Sequence, residues 1–151
     1  MATVNKALGS GGALPANLRA VEVMARNFDF STANGANGDI RHLILIPAGT
    51  LVKKVWLRVM TAEGATAIAD VGDYLVSDGS VVDADGWLND ASLNAVALVS
   101  GSTEAYAAAG GKLYTADSYL SLTLGTATTY DVAKGTLYAE VVNMTTPSDV
   151  A

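Results

Sequence analysis

The chain has 151 residues, half of them hydrophobic and 16% charged, with 15 glycines and no cysteine. A single domain of that length buries a sizeable core without staples, and the missing cysteines exclude disulfides, thiolate metal sites and thiol nucleophiles. The formal charge of -6 argues against a phosphate-tracking surface, so nucleic acid is not an expected partner.

That charge is uneven. Residues 1–75 carry seven Lys/Arg and six acids, net +1, whereas residues 76–151 carry two and nine, net -7. Electrostatic partners would therefore favour different ends of the chain. The start, MATVNKALGSGG, lacks the continuous apolar stretch of a signal peptide. The apolar runs Leu43 to Ile46 and Ala95 to Val99 fall far short of the ~20 residues that cross a membrane. The expectation is a soluble protein made in the cytoplasm, with no membrane partner.

Residues 1–18 combine Gly9, Ser10, Gly11, Gly12 and Pro15 with isolated Leu8, Leu14 and Leu18. A helix does not pass readily through GSGG, so the segment reads as an N-terminal arm, either a disordered leader or a clasp that orders on a partner. Residues 19–151 read as the folded domain. From Arg19 the period becomes two: Val21, Val23 and Ala25 alternate with Glu22, Met24 and Arg26, predicting a strand that ends near Phe28-Asp29-Phe30.

STANGANGD, residues 31–39, is a loop by its Asn-Gly steps, and Ile40 to Ile46 is a strand stopped by Pro47-Ala48-Gly49. LVKKVWLRVMT then alternates strictly, with Val55, Leu57 and Val59 on one face and Lys54, Trp56, Arg58 and Met60 on the other. AEG, residues 62–64, reads as a hairpin tip, followed by the weaker strand ATAIADV. GDYLVSDG and SVVDADGW read as two short strands with Asp-Gly turns. ASLNAVALVS suits a short helix or a strand, and the surrounding rhythm favours strand or irregular structure. After a loop at 101–111, KLYTADSYLSLTL alternates Leu120, Leu122 and Leu124 with Tyr119, Ser121 and Thr123. TLYAEVVNM sets Leu137, Ala139 and Val141 opposite Tyr138, Glu140 and Val142. Eight or so short strands spaced by turns, with no fixed repeat, predict an all-β sandwich or barrel.

The densest polar stretch, DVGDYLVSDGSVVDADGWLND, holds Asp70, Asp73, Asp78, Asp83, Asp85 and Asp90. An EF-hand register fails in both frames: Gly86 at the sixth position puts Val81 first and Ser92 twelfth, and a start at Asp83 puts Leu88 sixth. Asp78-Gly79 and Asp85-Gly86 read instead as turn dipeptides, with an irregular calcium site as the alternative. His42 is the only histidine and has no cysteine or second histidine to complete a zinc set, nor a G-x-S-x-G elbow to complete a triad. AAAGGK fails as a phosphate loop, because Leu113 follows Gly111-Lys112 and Tyr106 stands where the first glycine belongs. No catalytic, cofactor-binding or metal-ligating residue is assigned. Trp56, on a face with Lys54 and Arg58, either anchors a protein interface or is covered by a second sheet or loop. Trp87 is a second candidate interface aromatic.

The order IPAGTLVKKVWLRVMTAEGATAIADVGD, then DGWLND, then GGKLYTADSYLSLTL and KGTLYAEVVNM covers about residues 40–144. It resembles the head decoration, or cement, proteins of tailed bacteriophages, which have a jelly-roll-like β-sandwich. The resemblance implies a single-domain sandwich with an extended N-terminal arm, and a homotrimer on the outer surface of the capsid that clamps neighbouring major capsid protein subunits. Leu8, Leu14 and Leu18 would act as apolar anchors of the arm, which an exposed sheet edge is able to accept as an added strand. A module of different class stays open: a receptor- or glycan-binding β-sandwich of a tail fibre or spike, which would expose aromatics such as Trp87 or Tyr106 in a concave site.

Overall fold

The computed structural model describes residues 20–64 and 66–145. The expected arm, with Leu8, Leu14 and Leu18, lies outside the described residues. The strands are β1 (Val21–Asp29), β2 (Gly35–Ala36), β3 (Ile40–Ile46), β4 (Thr50–Thr61), β5 (Ile68–Leu75), β6 (Val81–Ser92), β7 (Ala97–Ser100), β8 (Lys112–Tyr114), β9 (Ser118–Gly125), β10 (Thr129–Tyr130) and β11 (Lys134–Asn143). One helical turn, α1 (Ala105–Ala108), interrupts the loop before β8.

Two antiparallel sheets face each other. The first runs β1-β11-β4-β7, with β8 also paired to β4, and the second runs β3-β9-β5-β6. Counting β7 and β8 as one edge and setting aside the small β2–β10 pair, the chain order is 1-8-3-6 in one sheet and 2-7-4-5 in the other. Nested antiparallel pairs crossing between two sheets give the double Greek key of a jelly roll. The chain is thus an all-β sandwich.

Period-two patterning decides which side of each strand is inside. Val55, Leu57 and Val59 of β4, Leu137 and Ala139 of β11, and Leu120, Leu122 and Leu124 of β9 all enter one core, where they meet Ile44, Ile46, Val71 and Leu88. Their alternates, Lys54, Trp56, Arg58 and Tyr138, point away from it. β3 ends at Ile46 as the Pro47-Ala48-Gly49 signal demands. Gly49 has φ +85°, a left-handed conformation that a side chain at this position would strain.

Two turn expectations are corrected. Residues 62–64 do not tip a hairpin: β4 and β5 belong to opposite sheets, and the segment crosses between them. Glu63 fastens the crossing, its carboxylate accepting backbone N–H bonds from Asp131 (2.8 Å), Val132 (3.1 Å) and Ala133 (2.6 Å). Asp85-Gly86 is not a turn either. β6 runs unbroken through it, and Gly86 is glycine because the Tyr106 ring lies where its Cβ would be. Asp78-Gly79 does turn, with Gly79 at φ +73° and Asp78 Oδ1 accepting from Ser80 N at 2.9 Å.

Candidate partner-binding face

The outer surface of the first sheet is built by strand register. On β4, Trp56 stands opposite Tyr138 of β11 on one side and Ser100 of β7 on the other. Lys54 stands opposite Glu140, and Arg58 opposite Leu98. From β1, Ala25 flanks Tyr138 and Val23 flanks Glu140. The Trp56 and Tyr138 rings stack at 5.5 Å between centroids and 13° between planes, and Lys54 Nζ lies 5.8 Å from the Trp56 ring. Stacked aromatics edged by cations form the amphipathic kind of surface enriched at protein interfaces. A shallow cavity of about 140 Å³ lies between Lys54, Trp56, Leu98, Ser100 and Glu140.

Apolar side chains extend the face, including Val21 at 54%, Val23 at 57% and Leu98 at 66% exposure. The second sheet packs on the opposite side of β4, so it does not cover Trp56. Trp56 itself is half-buried on that outer face. Tyr138, Leu98 and Val23 are the neighbours that sequence reasoning missed. Alternation showed the side on which each lies, but only long-range register brings them together.

Trp87 requires a correction as an interface residue. It is 1% exposed in the core, with its Nε1–H donating to Tyr114 Oη at 3.0 Å. Its ring also packs on Tyr106, 5.4 Å away. Tyr106 is half-buried and tied down as well, its hydroxyl donating to Asp73 Oδ1 at 3.2 Å and accepting from Lys112 Nζ at 2.8 Å. Neither residue forms an open platform of the sort expected for stacking a sugar.

The aspartates divide between turns and structure. Asp73 is fully buried and pairs with Lys112, and Asp83 N–H donates to its Oδ1 at 3.1 Å. Burial and the facing Asp73 carboxylate push the Tyr106 and Tyr114 hydroxyls well above the ordinary phenol range, keeping both as neutral hydrogen-bonding groups. Asp70 accepts from Asp90 N–H at 2.7 Å, and partial burial raises its carboxyl above the usual range. A hydrogen bond with Asp83 raises Asp85, assisted by desolvation and by repulsion from Asp83 and Asp70. Among the described residues no three His, Cys, Asp or Glu side chains gather into a metal-holding group.

His42 lies on the outer face of the second sheet, stacked on Tyr119 at 4.7 Å, with Nδ1 2.6 Å from Ser121 Oγ. Ser121 is fully buried beneath this cluster, so a substrate carbonyl has no approach to its hydroxyl. The pairing anchors the imidazole rather than arming a nucleophile.

No protein-family model matches the chain, and no curated protein matches it in sequence. Among solved structures, the chain is similar to one in the capsid of Ralstonia phage GP4, at 17% identity and TM-score 0.66, covering 93% of this chain and 96% of that one. It is also similar to a chain of the cyanophage Pam1 capsid asymmetric unit, at 11% identity and TM-score 0.51, covering 89% and 92%. At such identities the shared property is the fold, and the chain has the sandwich fold of these phage capsid chains over nearly its whole length.

Proposed function

We propose that the chain is a virion structural protein that binds the outer surface of a phage capsid, as a homotrimer, and stabilises it by bridging major capsid protein subunits. The observation that carries this reading is the fold shared with a chain of the Ralstonia phage GP4 capsid across 93% of the sequence. The Trp56–Tyr138 face supports it by offering aromatic anchors and cations to a protein partner. In this reading the sandwich is a rigid block seated on the shell, and residues 1–18 are the grip, with Leu8, Leu14 and Leu18 filling apolar pockets. Modest contacts suffice, because a lattice repeats them in many copies. The role is not enzymatic and requires no cofactor, since it draws on shape, stability and copy number.

The test is to mix purified protein with undecorated phage heads and compare the full chain with residues 19–151. Saturable binding of the full chain, a higher rupture temperature of the heads, and at least about tenfold weaker binding of the truncated chain are expected. Trp56→Ser should weaken head binding by about tenfold or more while leaving the fold intact. Failure of the full chain to bind heads, alongside saturable binding to a sugar, would overturn the reading in favour of a glycan-binding module.

A further inference from the structure

A sandwich of two open sheets has edge strands, and an edge presents backbone donors and acceptors that invite pairing with another chain. Proteins commonly blunt such edges by shortening, bulging or covering them. Three of the edges here are blunted. β7 and β8 are four and three residues long. β3 has a register break between His42 and Ile44, and β6 has three breaks against β5.

β1 differs from all of them. It runs nine residues in unbroken register with β11, from Val21↔Val142 to Asp29↔Lys134. Among the described residues nothing pairs with its other edge. From Val21 to Asn27 every residue except Met24, which packs against the core, is exposed among the described residues. Beside it the two sheets part, leaving a groove of about 620 Å³ reached by Met24 and Arg26 of β1 and by His42, Leu45 and Pro47 on the β3 side.

The side chains of β1 indicate what would pair with it. Glu22, Met24, Arg26 and Phe28 alternate onto the core-facing side, and Phe28 is the one that is fully inserted. Glu22 and Arg26 are exposed charges on that side, and the three ion pairs among the described residues involve neither. Read backwards about Met24, VEVMARN places Arg26 opposite Glu22, Ala25 opposite Val23, and Met24 opposite itself. Shifting the centre to Glu22 or Arg26 opposes like charges, and centring on Val23 or Ala25 leaves both charges facing apolar or uncharged partners.

From this self-complementarity we infer that the β1 edge is a docking site for the β1 strand of a second copy, antiparallel about a twofold axis through Met24. The paired strands continue the first sheet from one copy into the next. The two Glu22–Arg26 contacts, which would oppose most other pairings, select this one. The contact uses the backbone edge of β1, whose outward side chains Val21 and Val23 also border the Trp56 face, and leaves Trp56 and Tyr138 themselves two strands and one strand away. Resting on the proposed trimer, it would join neighbouring trimers across the twofold axes of a closed shell.

Cross-linking tests this in the full chain. Because the protein has no cysteine, Met24→Cys supplies a unique thiol, and opposed residues on antiparallel strands bring their Cβ atoms about 4.5–5.5 Å apart. A short bifunctional thiol reagent should therefore give covalent pairs on a denaturing gel, well above a Val82→Cys control. Adding Glu22→Arg or Arg26→Glu alone should slow pair formation about tenfold. Combining both reversals should restore it to within about twofold, an outcome that general disruption of the fold does not produce. Linking no faster than the Val82→Cys control, or indifference to the single reversals, would overturn the inference. So would pairs that form only after residues 1–18 are removed, since the edge would then belong to the chain's own leader.

Discussion

The two long sides of the sandwich are built on opposite principles. Where β6 approaches β8 and α1, the interior is polar and locked: Asp73 of β5 receives Lys112 of β8, Tyr106 of α1 and the Asp83 backbone, while Trp87 bonds Tyr114 beside them. Where β1 approaches β3, the sheets separate over a groove, and among the described residues nothing pairs with the strand edge. A buried, satisfied network ties one sheet to the other and rigidifies the fold. β1 has no such lock and is held by its pairing with β11 and by Phe28 in the core. The comparison therefore sets a locking network on one side against the edge proposed for association on the other.

The sharpest way to break this contrast is Asp73→Ala. It strands the Lys112 ammonium among the Tyr106 and Tyr114 rings, which lie 4.2 and 4.8 Å from it. Removing one partner of a buried ion pair costs about 3–5 kcal/mol, and urea unfolding should show a loss of that size. Gly86→Ala should cost about 1–3 kcal/mol, because the new methyl collides with the Tyr106 ring and shifts it from Asp73. Thermal unfolding would register the change, and an unaltered midpoint would refute the stated reason for the glycine.

A smaller effect is expected from acid. Desolvation raises the Glu63 carboxyl, but the backbone N–H bonds from residues 131, 133 and 132 outweigh it, and the folded value lies below the ordinary one. The resulting stability is present above the unfolded value and is lost as pH falls through the folded one. Glu63→Gln should thus cost about 1 kcal/mol near pH 7 and lessen the loss on acidification. Asp85 has the opposite sign, since its raised value means that ionisation opposes folding. Asp85→Asn should therefore stabilise the protein at pH 7, with the gain fading as the pH falls through the raised value; titrated unfolding curves would reveal either trend. Val23→Thr on the open edge should alter unfolding by less than about 0.5 kcal/mol.

The same contrast explains what was legible in the sequence. β3, β4, β9 and β11 lie where alternation and turn residues put them, because one face of each is buried and period two records that directly. ASLNAVALVS resolves into the end of β6 and the strand β7, as the surrounding rhythm favoured. Residues fixed by distant partners are read differently from sequence. Asp85-Gly86 matches a turn dipeptide, but its glycine answers to a ring twenty residues away. Trp87 resembles an anchor until Tyr114 is seen to accept its indole N–H. Glu63 passes for a hairpin residue because its three backbone donors lie nearly seventy residues further on. In each case local chemistry was readable and the distant partner was not. The Trp56 face lay between these extremes, since alternation put Trp56 outside but could not supply Tyr138 beside it.

The central claim, that this sandwich sits on the outside of a phage head and bridges its subunits, is tested most directly by cryo-electron microscopy of undecorated heads mixed with the full chain. The account predicts added density of sandwich size on the outer surface, contacting more than one capsid subunit and repeating with the lattice. A bare shell, or density confined to the tail or the interior, would contradict it.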